Sequence, residues 1–157
     1  DRLILSKGHA SAALYAALAE KGYFPKEDLK TFRNINSYLQ GHPDMKHIPG
    51  VDMSTGSLGQ GLSAANGMAM MLKLDKNPAR VYCICGDGEI EEGQIWEAAM
   101  TSNKYKLDNL CVILDYNKLQ IDGTIEEVKG LDMIYSKWNA FGFNVIETDG
   151  NNIEKLT

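Results

Sequence analysis

The chain has 157 residues, 44% hydrophobic and 24% charged, the size and make-up of one globular domain rather than of a disordered chain. Its formal net charge of −5 argues against nucleic acid or an anionic membrane surface as a partner. It leaves room for an anionic small molecule held by local amides and a metal. No apolar run approaches the roughly 20 residues that span a bilayer, and residues 1–6 are not followed by the apolar core of a secretory leader.

The pattern predicts a helix over 10–21, rich in Ala and Leu, with Gly22 as its C′ residue. Pro25, Glu27 and Asp28 open a second, shorter helix to about Arg33. Residues 34–61 lack sustained periodicity and are punctuated by glycine and proline; a loop of that length in a compact domain tends to be functional. A helix over 61–74 follows, with Leu62, Ala65, Ala69 and Leu72 on its apolar face, and Asn77-Pro78 ends it.

Two apolar runs, 81–85 and 110–114, flank a helical pattern over about 92–105 and read as the parallel strands of a βαβ unit. A helix over 132–141, a third strand over 143–147 and a turn at 149–152 complete the chain. The alternation of β and α predicts an α/β fold: a doubly wound, mostly parallel sheet with helices on both faces. Cys83 and Cys85 fall on one expected strand and Cys111 on another. Buried, reduced thiols of a cytoplasmic protein are the expectation; a C-x-C pair with no second ligand pair does not make a metal site. The missing initial Met, and an end that reads as the first turn of a helix, suggest a piece of a longer polypeptide.

The chemistry is concentrated where those two strands end. The first breaks into Gly86-Asp87-Gly88 and the second into Asp115-Tyr116-Asn117. Open α/β sheets bind ligands at the carboxyl ends of their strands. Glycine allows backbone to approach a phosphate closely. One carboxylate and one neutral amide oxygen suit a hard cation such as Mg²⁺, whose remaining ligands come from phosphates and water.

Gly-Asp-Gly followed thirty residues on by Asn117 resembles the signature of thiamine-diphosphate enzymes. The fuller text, SKGHAS, EDLKTFR, GHPD, STGSLGQGLSAANGMAMM and GDGEIEEGQIWEA through to NKLQIDG, is similar to transketolase over nearly the whole chain. The resemblance implies the diphosphate-binding domain of a transketolase. Asp87, Asn117 and the carbonyl of Leu119 would hold the metal, with Ca²⁺ or Mn²⁺ able to replace Mg²⁺. Gly88 would donate its amide to the diphosphate, and Gly56, Ser57 and Leu58 would pack on the cofactor, Leu58 against its rings. Ser57 stands where many family members carry Pro. Glu92 would lie near the cofactor and subunit interface, and Glu97 in an acidic network between two active sites. His9 would sit by the diphosphate and thiazolium and His42 by the donor's hydroxyls, where imidazole can move protons near neutral pH. His47 reads as structural.

The resemblance further implies sugar phosphate substrates and transfer of a two-carbon ketol unit from a ketose phosphate to an aldose phosphate. It implies a pyrimidine-binding domain, or the C-terminal subunit of a split transketolase, in a homo-oligomer or heterotetramer. That domain, which carries the Glu that activates the cofactor, is absent from these 157 residues, so the chain alone is expected to be inactive. Three rivals stand beside this reading: another thiamine enzyme such as 1-deoxyxylulose-5-phosphate synthase, a non-catalytic cofactor-binding subunit, and a different nucleotide- or phosphate-binding α/β domain, against which the absence of G-x-G-x-x-G after a strand and of a P-loop Lys argues. GHPD and STGSLGQG favour transketolase over the first, and intact His9, His42, Asp87 and Asn117 argue against the second.

Overall fold

Three parallel strands form the central sheet. β1 (Arg2–Leu5), β2 (Val81–Gly86) and β3 (Leu110–Asp115) lie side by side in that order, with Arg2 opposite Val81 and Gly86 opposite Asp115. The computed structural model describes residues 1–121 and 123–156. Parallel neighbours need long crossovers. Between β1 and β2 run α1 (Ser11–Glu20), the long loop and α2 (Gly61–Leu74); between β2 and β3 runs α3 (Gly93–Lys104).

Alternation along β2 feeds two cores. Val81, Cys83 and Cys85 turn to one face, where Leu62, Ala65 and Ala69 of α2 and Ile95 and Ala99 of α3 cover them. Ile84 turns to the other, against a core of Leu5, Leu14, Tyr15, Leu18 and Leu39. Small residues on α2 let it approach α3 closely, and the buried Asn66 ties the two. Its side-chain amide donates to the Ala98 carbonyl (2.8 Å) and its oxygen accepts from Ser102 Oγ (2.7 Å). A parallel sheet with helices on both faces is therefore what forms.

The details depart from the sequence reading in four places. β1 is a strand where the sequence carries no strand pattern; four residues with an exposed first half show no period to read. Residues 143–147 form no strand. Phe143 and Val145 do pack on the core while Ile146 is 80% exposed, so the alternation is real, but no ladder hydrogen bonds form. Cys111 is exposed rather than buried, because the edge strand β3 turns Leu110, Val112 and Leu114 towards the core and Cys111 and Ile113 away from it. The second helix is a 3-10 turn over Lys26–Thr31.

After β3 the chain makes a short antiparallel hairpin, β4 (Leu119–Gln120) with β5 (Gly123–Thr124). It then forms α4 (Ile125–Val128), α5 (Ile134–Ala140) and α6 (Ile153–Leu156). Thr124 and Glu127 form a capping box on α4. Among the described residues no helix is long and apolar enough to cross a membrane.

Candidate functional site

Because Gly86 stands opposite Asp115, the turns that follow β2 and β3 emerge side by side. Asp87 caps the 3-10 turn Gly88–Glu91 and is only 2% exposed. One of its oxygens accepts from the Gly88 amide (2.9 Å), the other from the Lys118 amide (2.6 Å). That second bond joins the two strand-end loops. To present its N–H, Lys118 takes a left-handed φ of 62°, a conformation costing a non-glycine residue about 1 kcal/mol. Asn117 is exposed, and its side-chain oxygen accepts from the Leu119 amide (2.8 Å). Leu119 opens β4 with its side chain in solvent.

The β1 side is tied in by charge. Lys7 Nζ reaches Asp115 Oδ2 at 2.7 Å, so the residue two after β1 holds the last residue of β3. Gly8 follows, pressed against backbone: a Cβ there would lie 2.7 Å from the Thr55 carbonyl carbon and 2.8 Å from Gly56 N. Gly56 in turn abuts His42, whose ring would meet a Cβ at 3.0 Å. The glycine beside His9 thus touches the glycine that packs on His42, and both histidines are exposed. On the other flank Gly59, at φ 84°, would bring a Cβ within 2.8 Å of Glu92 Cβ. Gly56, Ser57 and their neighbours Met53, Thr55 and Gln60 line a pocket, with Leu58 half-buried beside them. Thr55 Oγ1 is buried there with no hydrogen-bond partner.

α1 anchors the His42 loop. Ser11 Oγ donates to the Gly41 carbonyl (2.8 Å), and the Tyr15 hydroxyl reaches the carbonyls of Gln40 (2.8 Å) and His42 (3.1 Å). Burial pushes the Tyr15 phenol up, which keeps it a donor. Beyond His42, Asp44 accepts from the Lys46 amide (2.9 Å), His47 Nδ1 (2.7 Å) and Ser54 Oγ (3.1 Å). The Lys46 amide first, with help from His47, holds its carboxyl below the usual range. His47 is therefore a loop fastener, in keeping with its structural reading.

Among the described residues no group of three or more His, Cys, Asp or Glu side chains could hold a metal. The side chains offered at the two strand ends are instead one carboxylate, Asp87, and one amide oxygen, Asn117, whose neighbour Lys118 is bonded to Asp87. That all-oxygen set suits a hard ion completed by phosphate oxygens, and it does not suit zinc. Glu97 is exposed on α3, and Glu92 stands at the helix's N-cap position. A second depression, by Ile90, Glu91, Trp96 and Leu131, contains none of the expected site residues.

One buried carboxylate escaped the sequence reading. Glu89, in Gly86-Asp87-Gly88-Glu89, is 2% exposed and accepts from the Ser6 hydroxyl and the Gly59 amide (3.0 Å) through one oxygen and from the Gly86 amide (3.0 Å) through the other. Its only sequence signal is its place inside the turn, because helical glutamates are usually solvated.

These features define an open α/β domain whose site lies at the carboxyl ends of adjacent parallel strands. Residues 1–157 match the family model described as "Transketolase, thiamine diphosphate binding domain", and the chain belongs to that family. It is 53% identical over 156 residues to the 6-deoxy-6-sulfo-D-fructose transketolase subunit SqwG of Clostridium sp. (strain MSTE9), covering 99% of this chain and 57% of that one. The A-type subunit of the apulose-4-phosphate transketolase of Phocaeicola vulgatus is 47% identical, with 99% and 55% covered. The transketolase of Homo sapiens is 46% identical over 157 residues, with 99% and 25% covered. The crystal structure of transketolase from Campylobacter jejuni superposes with a TM-score of 0.90 at 39% identity, over 98% of this chain and 25% of that one. The chain thus spans a little over half the length of the split-enzyme relatives and a quarter of the long ones.

Proposed function

We propose that this domain binds thiamine diphosphate through a divalent metal, as part of a transketolase that moves a two-carbon ketol unit from a ketose phosphate to an aldose phosphate. The observation that carries the reading is the Asp87–Lys118 hydrogen bond (2.6 Å), which closes the turns after β2 and β3 into one cradle. Asp87, Asn117 and the Leu119 carbonyl would bind Mg²⁺, and the Gly88 amide, which donates to Asp87 here, would turn to the diphosphate. Gly56, Ser57 and Leu58 would seat the cofactor. When bound, the cofactor supplies the electron sink for carbon–carbon cleavage.

His42 and His9 hold and move protons at the donor's hydroxyls and beside the thiazolium. Their exposure on neighbouring loops suits contact with a ligand entering from solvent. Glu92, against Gly59, lies at the cofactor's edge, and Glu97 faces a second protomer. The two split-enzyme relatives carry the names of 6-deoxy-6-sulfo-D-fructose and apulose-4-phosphate transketolases, which supports a ketose donor and a separate partner chain or domain that binds the pyrimidine ring. A homo-oligomer or heterotetramer in the cytoplasm belongs to the same proposal.

Calorimetry on the assembled protein tests the reading. Thiamine diphosphate should bind in the presence of Mg²⁺ and ADP should not. Asp87→Ala should remove the metal-dependent affinity. Preference for ADP, or unchanged affinity in the variant, would refute it.

A further inference from the structure

We propose that Glu89 is a positioning residue for the cofactor cradle, fixing the spacing of three loops before any ligand arrives. The inference rests on reading the site as a thiamine diphosphate site. The three donors to the Glu89 carboxylate come from three separate segments. Ser6 ends the run out of β1 and leads into Lys7-Gly8-His9. Gly59 directly follows Gly56-Ser57-Leu58. Gly86 is the last residue of β2 and directly precedes Asp87. One side chain therefore couples the His9 loop, the cofactor-seating loop and the metal turn.

Two features make this junction exacting. Gly59 and Gly86 are buried, so their amides have no water to fall back on, and a buried N–H left unpaired is expensive. The packing leaves no slack either: a Cβ at Gly61 would come 2.5 Å from Ser6 Cβ, and one at Gly59 2.8 Å from Glu92 Cβ. The buried Lys7 does not serve Glu89, being paired with Asp115, so the carboxylate is satisfied by a hydroxyl and two amide dipoles. Both amides point inward at Glu89. It therefore acts on a ligand only through the loops it holds.

Glu89→Gln separates this role from bulk. The side chain keeps its volume, but its NH₂ must face one of two inward-pointing amides, donor against donor. In the full enzyme we expect the Kd for thiamine diphosphate with Mg²⁺, read by calorimetry, to rise about tenfold. At saturating cofactor kcat should stay within about twofold of wild type, the split expected of a group that positions rather than reacts. Ser6→Ala, which removes only the hydroxyl donor, should raise Kd less. An unchanged Kd in folded Glu89→Gln, with normal wild-type binding, overturns the role of Glu89 alone; wild-type protein that binds no thiamine diphosphate overturns the underlying reading of the site. If Glu89→Gln does not fold, site-resolved amide exchange on the cofactor-free wild type decides. Protected Gly59 and Gly86 amides support the clamp, and free exchange that slows only on adding cofactor overturns it.

Discussion

Gly8→Ala tests the packing that brings the two histidine loops together. Gly8 lies in a right-handed 3-10 turn (Gly8–Ala10), so alanine meets no backbone penalty there. Space is the only obstacle. The added methyl would stand 2.7 Å from the Thr55 carbonyl carbon and 2.8 Å from both Gly56 N and Thr55 O. All three are backbone atoms, so no rotamer change relieves the contact. Ordinary carbon contacts lie at about 3.5–4.0 Å, so the 55–56 segment must retreat by nearly an ångström. Overpacking of that kind costs about 1–3 kcal/mol, and each kcal/mol lowers Tm by about 2–4 °C in a domain of this size. Gly67→Ala is the control: it sits in α2 with nothing within 4 Å of its added Cβ, and a helical Gly→Ala change gains up to about 1 kcal/mol. Thermal unfolding should move in opposite directions for the two variants. Displacing residues 55–56 also shifts the support under His42, so cofactor affinity should fall in Gly8→Ala and hold in Gly67→Ala. A Gly8→Ala protein as stable as wild type would refute the argument.

The Lys7–Asp115 pair should respond asymmetrically, since the lysine side chain is 9% exposed and the aspartate 48%. Asp115→Ala strands a buried ammonium and should cost about 1–3 kcal/mol; Lys7→Met leaves a carboxylate that water can reach and should cost less, and the opposite order of urea midpoints would refute this. Asp44 titrates below an ordinary carboxylate because the Lys46 amide and His47 favour its charged form. Its contribution is present above the unfolded pKa and lost as pH falls through the lowered folded pKa. Protection of the Lys46 amide should persist to below the ordinary carboxylate range, and an NMR titration placing Asp44 at or above that range would refute it. Alkylation mapped by mass spectrometry should find Cys111 first. Cys83 and Cys85 should react only after unfolding, because the hydrogen bond to Cys83 and burial push the Cys85 thiol up; equal rates at all three would be the contrary result.

What could be read in the sequence was local. β2, α3 and β3 announce themselves because an apolar run, a glycine turn and a helical period follow one another within forty residues. α2 announces itself through the i, i+3, i+7 spacing of Leu62, Ala65 and Ala69. What could not be read depends on partners distant in sequence. β1 is four residues long and becomes a strand only by pairing with residues 81–84. Residues 143–147 alternate correctly but, among the described residues, pair with no strand. Cys111 lies in a run that looks wholly apolar, and its exposure follows from its pointing, with Ile113, away from the core that Leu110, Val112 and Leu114 join. At the site, Asp87 and Asn117 were legible as residues past strand ends. Glu89 was not, because a glutamate becomes a buried acceptor only when Ser6 and Gly59 arrive from elsewhere.

The placement of β1 beside β2 also sets an order of assembly. β2 and β3 can pair after closing a chain segment of about thirty residues, much of it helix, whereas β1 must wait for a partner nearly eighty residues further along. The longer closure costs roughly 0.9 kcal/mol more by chain entropy alone, and contacts of high sequence separation form late. During synthesis β1 is made before β2 and cannot form this pairing until β2 leaves the ribosome. The Gly86-Asp87-Gly88 turn and its helix can therefore be in place while the segment bearing His9 is still searching.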